Sequence, residues 1–246
     1  MERKKVTTKT LKEMKENGNK ISMLTAYDYP MSKILDKAGC DAILVGDSLG
    51  NVVLGYENTT HVTMQDMIHH SKAVARGAKN SFIICDMPFL SYHTGVYEAV
   101  KNAGALISDG MANAVKLEGG EEICDTVRAI VNAGIPVVGH LGLTPQHINQ
   151  FGGFSTQAKT ESEAEKLIND AKALQAAGAF MLVLECIPHE LAKRVTDSLD
   201  IITIGIGAGS ECDGQVLVLY DILGLFDDFT PSFVKRYAEL NSIITD

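Results

Sequence analysis

Lys37-Ala38-Gly39, then Cys40-Asp41-Ala42-Ile43-Leu44-Val45-Gly46, then Asp47, is the stretch on which the reading of the chain turns. A helical segment ends on a glycine, a short apolar run follows, and the run stops at a residue able to do chemistry. The same order returns three times. It is seen in Asp109-Gly110, Ala114–Leu117 and Glu118, in Ala133-Gly134, Ile135–Gly139 and His140, and in Ala177-Gly178, Ala179–Leu184 and Glu185. Glycine suits the left-handed position that closes a helix because it has no Cβ to clash. The runs are continuous rather than alternating, as strands buried on both faces of a parallel sheet read.

Working outward, eight runs predict strands near Ile21–Ala26, Ala42–Gly46, Ser81–Cys85, Ala114–Leu117, Pro136–Gly139, Phe180–Leu184, Ile201–Gly205 and Gln215–Leu219. Helices lie between them. Thr63-Met64-Gln65-Asp66 and Thr160-Glu161-Ser162-Glu163 open two, the second as a capping box. Pro188 suits the first turn of a helix running to about Leu199. Lys9–Glu16 predicts an additional N-terminal helix over the base. Alternating strands and helices make an α/β fold with a parallel sheet. Eight units in 246 residues fit a closed (β/α)8 TIM barrel better than an open doubly wound sheet. No linker or low-complexity tract divides the chain, so residues 1–246 read as one catalytic barrel domain.

The net charge of −9 argues against a nucleic-acid partner, which needs a basic face. No run approaches the length of a membrane span, and the charged start Met1-Glu2-Arg3-Lys4-Lys5 leads into no signal-peptide core, which places the protein in the cytoplasm. Five cysteines, Cys40, Cys85, Cys124, Cys186 and Cys212, are far apart and form no CxxC pair. They read as reduced thiols rather than zinc ligands.

A barrel builds its site at the C-terminal strand ends. Here those ends carry Asp28, Asp47 with Ser48, Asp86, Lys116 with Glu118, His140 and Glu185. Like charges crowded in one mouth cost free energy unless something offsets them. Asp47, Asp86 and Glu118 offer oxygen and no sulfur, which suits Mg²⁺ better than Zn²⁺. The alternative is an Asp–Lys salt-bridge network without metal. Lys116 and Glu118 are two apart on one strand and so face one side. The lysine binds a substrate carboxylate, stabilises an enolate or balances charge. His140 donates a hydrogen bond or packs in the core. Glu185 ends the apolar run Met181–Leu184 and suits a general base. Gly205-Ile206-Gly207-Ala208-Gly209 is a candidate anion cradle but lacks the dinucleotide fingerprint. His61, His69 and His70 read as solvated or packing residues.

Several strings, in order, carry a family resemblance: Thr25-Ala26-Tyr27-Asp28-Tyr29, Val45-Gly46-Asp47-Ser48-Leu49-Gly50, Asp86-Met87-Pro88-Phe89, Val115-Lys116-Leu117-Glu118-Gly119-Gly120, Gly139-His140-Leu141-Gly142-Leu143-Thr144-Pro145-Gln146, Phe151-Gly152-Gly153-Phe154, Leu184-Glu185-Cys186 and Gly205–Gly209. Together they resemble the ketopantoate hydroxymethyltransferase family over nearly the whole chain. The resemblance implies Mg²⁺ on Asp47 and Asp86, with Glu118 in the same site. It implies 3-methyl-2-oxobutanoate held among Asp47, Ser48, Asp86 and Lys116, with His140 beside it and Glu185 as the base. It further implies 5,10-methylenetetrahydrofolate as donor, a Mg²⁺-stabilised enolate, 2-dehydropantoate as product, and a homo-oligomer, possibly a decamer.

Two departures stand against the family pattern. The chain stops at Asp246, soon after a helix expected near Phe233–Leu240, where many relatives continue. Ser155-Thr156-Gln157-Ala158-Lys159 replaces the usual Val-Gln-Gly type of segment. A carbon–carbon lyase of the phosphoenolpyruvate mutase and isocitrate lyase type is the nearest alternative, but its Lys-Lys-Cys-Gly-His type of loop is not found. A silent ligand-binding barrel would be favoured by loss of the carboxylates, and none is lost.

Overall fold

The eight apolar runs form eight parallel strands: β1 Ile21–Thr25, β2 Ala42–Val45, β3 Phe82–Asp86, β4 Ala114–Glu118, β5 Val137–Gly142, β6 Met181–Glu185, β7 Ile202–Ile206 and β8 Gly214–Leu217. They pair in chain order and close, β8 onto β1, into a barrel. The computed structural model describes residues 3–153, 155–226 and 229–246, so Met1, Glu2 and Phe154, quoted above, lie outside the described residues.

Side chains alternate along each strand between two apolar layers. Ile43, Val45, Ile83, Cys85, Val115, Leu117, Leu182 and Leu184 face the surrounding helices. Met23, Leu44, Ile84, Ala114, Val138, Met181, Val183 and Ile204 fill the barrel interior. The inward register then runs on into the site without a break. Ile84 leads to Asp86, Ala114 to Lys116 and Glu118, Val138 to His140, and Val183 to Glu185. The apolar interior is thus what aims the polar residues into the mouth.

The N-terminal helix spans Thr8–Glu16, capped by the Thr7 hydroxyl accepting from Thr10 N. Its Leu11 is fully buried in the interior cluster, and Lys15 Nζ donates to the carbonyls of Leu199 and Ile201 and to Asp213. That helix closes the base. Thr63 and Thr160 both complete capping boxes, with Asp66 and Glu163.

Local readings were corrected where chain context outweighed residue type. Gly39, Gly134 and Gly178 take left-handed backbone, but Gly110 does not, and Met111 does instead at φ 62°. Pro188 stands just before the helix His189–Asp197 as its cap rather than inside its first turn. The helix expected near Phe233–Leu240 is absent. That segment is a turn followed by irregular chain, and Tyr237 N instead donates to Ile222 O at 2.7 Å. A short helix, Leu240–Thr245, comes after it.

Candidate active site

The strand ends converge on one cavity of about 800 Å³ at the C-terminal mouth, lined by Asp47, Ser48, Asp86, Lys116, Glu118, His140 and Glu185 among others. Every residue singled out for the site is there except Asp28. Its carboxylate instead caps the helix Tyr29–Ala38, accepting from Met31 N at 2.8 Å. The Gly205–Gly209 loop packs closely against its neighbours. The space beside Gly207 is filled by the Phe233 ring, and that beside Gly209 by His189.

Asp47, Asp86, Lys116 and Glu118 are each less than 5% exposed. Asp47 N donates to Asp86 Oδ2 at 3.1 Å. Lys116 Nζ lies 3.2 Å from Asp86 Oδ1 and 3.7 Å from Glu118 Oε1. Burial works against the ammonium, yet Asp86, Glu118 and Asp47 outweigh it and hold its pKa above the usual lysine value. Burial, then the charges of Asp86 and Glu118, raise Asp47 well above the ordinary carboxylate range. Burial also raises Asp86, against the pull of Lys116. Glu118 goes the other way, because His140, Lys116 and the Gln146 N–H outweigh its burial.

His140 links the carboxylate cluster to Glu185. Its Nδ1 is 3.1 Å from Lys116 Nζ and 3.3 Å from Glu118 Oε1. Its Nε2 is 3.1 Å from Glu185 Oε2, at an angle short of hydrogen-bond geometry. The Nδ1 contacts point to opposite protonation states, since accepting from Lys116 needs a neutral ring and donating to Glu118 suits a charged one. Glu118 at Nδ1 and Glu185 at Nε2, against one lysine, decide for the charged ring. Burial and Lys116 push the imidazole down, but Glu118 and Glu185 more than offset them and carry it to about 9. Glu185 itself is less enclosed than the run Met181–Leu184 suggests, with its side chain 15% exposed beside His140.

No local pattern singles out Gln146 and Tyr92, which tie the cluster together. Gln146 Nε2 donates to Asp47 Oδ2 at 2.8 Å and to Met87 O at 2.9 Å, and its backbone N–H to Glu118 Oε2 at 3.0 Å. Tyr92 donates its hydroxyl proton to Gln146 Oε1 at 2.8 Å and accepts from Glu118 N. Tyr27 shares a 2.9 Å bond with Ser48. Gln146 lies in the quoted Gly139–Gln146 string, which is the only signal that would have found it.

Backbone geometry holds Glu185 in place. Gly142, paired with it across β5 and β6, has φ +93°, and an added methyl would strike the Glu185 carbonyl oxygen. Gly142→Ala is expected to cost more than about 1 kcal/mol, because alanine does not fit left-handed backbone. Denaturant midpoints check this, and turnover should fall with them as Glu185 is displaced.

A family model described as ketopantoate hydroxymethyltransferase matches residues 5–246. A 3-methyl-2-oxobutanoate hydroxymethyltransferase of Acetivibrio thermocellus is 61% identical over 98% of this chain and 85% of its own. One from Moorella thermoacetica is 61% identical over 97% and 89%. Among solved structures, a phosphonopyruvate hydrolase complex with oxalate and Mg²⁺ has a TM-score of 0.65 at 12% identity, covering 87% of this chain and 80% of its own. A 2,3-dimethylmalate lyase of the PEP mutase/isocitrate lyase superfamily has 0.65 at 17%, covering 89% and 82%. At those identities the solved structures share the barrel alone. The sequence matches go further, over nearly the full length and through every strand end of the mouth, and the chain belongs to the ketopantoate hydroxymethyltransferase family.

Proposed function

We propose that this chain transfers a hydroxymethyl group from 5,10-methylenetetrahydrofolate to 3-methyl-2-oxobutanoate, giving 2-dehydropantoate on the way to pantothenate. The observation that carries the reading is the single mouth in which Glu185 faces Asp47, Asp86, Glu118 and Lys116 across His140. The family and the names of its curated members supply the substrate.

The donor set fits Mg²⁺. Asp86 Oδ1 is buried with no hydrogen bond, its charged neighbour being the Lys116 ammonium at 3.2 Å, and Asp47 is held well above its usual pKa by burial and by its carboxylate neighbours. Both mark a place that favours added positive charge. No group of three or more His, Cys, Asp or Glu residues among the described residues forms a metal cage. Mg²⁺ is bound through one or two carboxylates, with water and substrate oxygens completing its shell. In this reading Asp47 and Asp86 would hold the ion, with Glu118 in the same site. The ion, when bound, acts as a Lewis acid toward the charge that develops on the keto oxygen.

The chain's own residues do the rest. Lys116 holds the oxo acid's negative charge, and Ser48, fixed by Tyr27, orients it. Glu185 takes the proton from carbon 3. Carbon 3 then bonds to the one-carbon unit of the folate, both C–N bonds of that unit break, water supplies the hydroxyl oxygen of the product, and tetrahydrofolate leaves. His140 keeps Glu185 aimed. The chain works as one catalytic domain in a cytoplasmic homo-oligomer. No described helix is long and apolar enough to cross a membrane.

The test is product formation followed by NMR with both substrates present. We expect 2-dehydropantoate with Mg²⁺, none after chelation, and recovery when Mg²⁺ returns. Full turnover in excess chelator would remove the metal from the reading.

A further inference from the structure

The oxo-acid machinery accounts for only the floor of the cavity. Outward along the end of β8 the same cavity runs past Leu217 and Val218 to Asp221 and Phe233. Its volume of about 800 Å³ lies among sites that enclose drug-sized ligands, so a small oxo acid leaves most of it over. Asp221 is 7% exposed. Among the described residues its carboxylate accepts no hydrogen bond and makes no ion pair. The charge it feels is Arg236, whose Nη1 and Nη2 are engaged by Glu239 and Thr230. A buried carboxylate without donors is costly, and one that lines a cavity is placed to receive donors from a ligand. The Phe233 ring, which lines the same cavity, packs on Gly207 and remains 39% exposed.

We infer that Asp221 anchors the pterin of the one-carbon donor, accepting from the ring N–H and the exocyclic amino group on its pyrimidine edge, with Phe233 flanking the rings. This rests on the proposal that a reduced folate is the donor. Those two N–H groups are adjacent and parallel, so they match the two oxygens of a carboxylate as a guanidinium does. The carbon to be transferred is carried on the pterin's own nitrogen. It must reach carbon 3 of the oxo acid beside Glu185, so both substrates share one cavity. A wall with one buried acceptor and an aromatic face is what a flat, donor-edged bicycle requires.

Asp221→Asn keeps the shape and replaces one acceptor oxygen with a donor. Tetrahydrofolate binding, measured by calorimetry in the presence of the oxo acid, should weaken about 10- to 100-fold, the range for hydrogen bonds to a charged group. Deuterium exchange at carbon 3 without folate should stay at the unaltered rate, which also shows that the variant is folded. Tetrahydrofolate lacking the 2-amino group should bind the unaltered protein weakly and show little further loss in the variant. This analogue arm on the unaltered protein stands even if the variant fails to fold. Unchanged tetrahydrofolate affinity in the variant, or an analogue that binds the unaltered protein as well as tetrahydrofolate, would overturn the inference. Carbon 3 exchange with no tetrahydrofolate binding by the unaltered protein would overturn the donor assignment, and the inference with it.

Discussion

Glu185→Gln is expected to lower turnover by about 10²- to 10⁴-fold, the usual contribution of a positioned acid–base group. The amide keeps the size and the contact with His140 but cannot take the proton from carbon 3. Binding of 3-methyl-2-oxobutanoate should persist, because Asp47, Ser48, Asp86 and Lys116 lie on other strands. Calorimetry with Mg²⁺ and the oxo acid, beside steady-state rates, separates the two effects. A variant that turns over near the normal rate would remove Glu185 from the base role. A variant that loses binding and turnover together would make it a substrate ligand instead.

Lys116→Met should show the largest loss of stability in the molecule. The ammonium lies within 4 Å of Asp86 and Glu118, and all three are buried. Removing one partner of a buried pair leaves an uncompensated charge and costs about 3–5 kcal/mol. The remaining cation is His140, shared between Glu118 and Glu185. Denaturant midpoints in chelator should therefore drop sharply. Added Mg²⁺ should recover part of the loss, because an ion that binds the folded carboxylates stabilises that state by mass action. A midpoint unchanged in chelator would mean that the carboxylates are not charged in the folded protein.

The barrel was legible because its physics is local. Most strands are short apolar runs with a polar residue at or just past the end, and the interior periodicity of two carries Ile84 into Asp86 and Val183 into Glu185. The candidate residues followed from the same register. Asp28 was misplaced because a strand-end aspartate and a helix cap look alike until the next turn is seen. Pro30, two residues on, was the clue that a helix starts there. The roles of Gln146, which the sequence shows only as the end of the Gly139–Gln146 string, and of Tyr92 were not legible. Their bonds span 99 residues to Asp47 and 54 residues to each other, and no local pattern encodes such a contact. The segment after Phe229 failed for a related reason. Beyond the turn bond from Val234 N to Pro231 O, the N–H groups of Tyr237, Leu240 and Asn241 donate to Ile222, Leu223 and Gly224, so tertiary pairing replaced the helix that residue type favoured.

The central claim is that this mouth makes an enolate from a 2-oxo acid. The most direct measurement is exchange of the carbon 3 proton of 3-methyl-2-oxobutanoate in D₂O, followed by NMR without folate, with Mg²⁺ and with chelator. The account expects exchange that needs both the protein and Mg²⁺ and is lost in Glu185→Gln. No exchange by folded protein in saturating Mg²⁺ would contradict it.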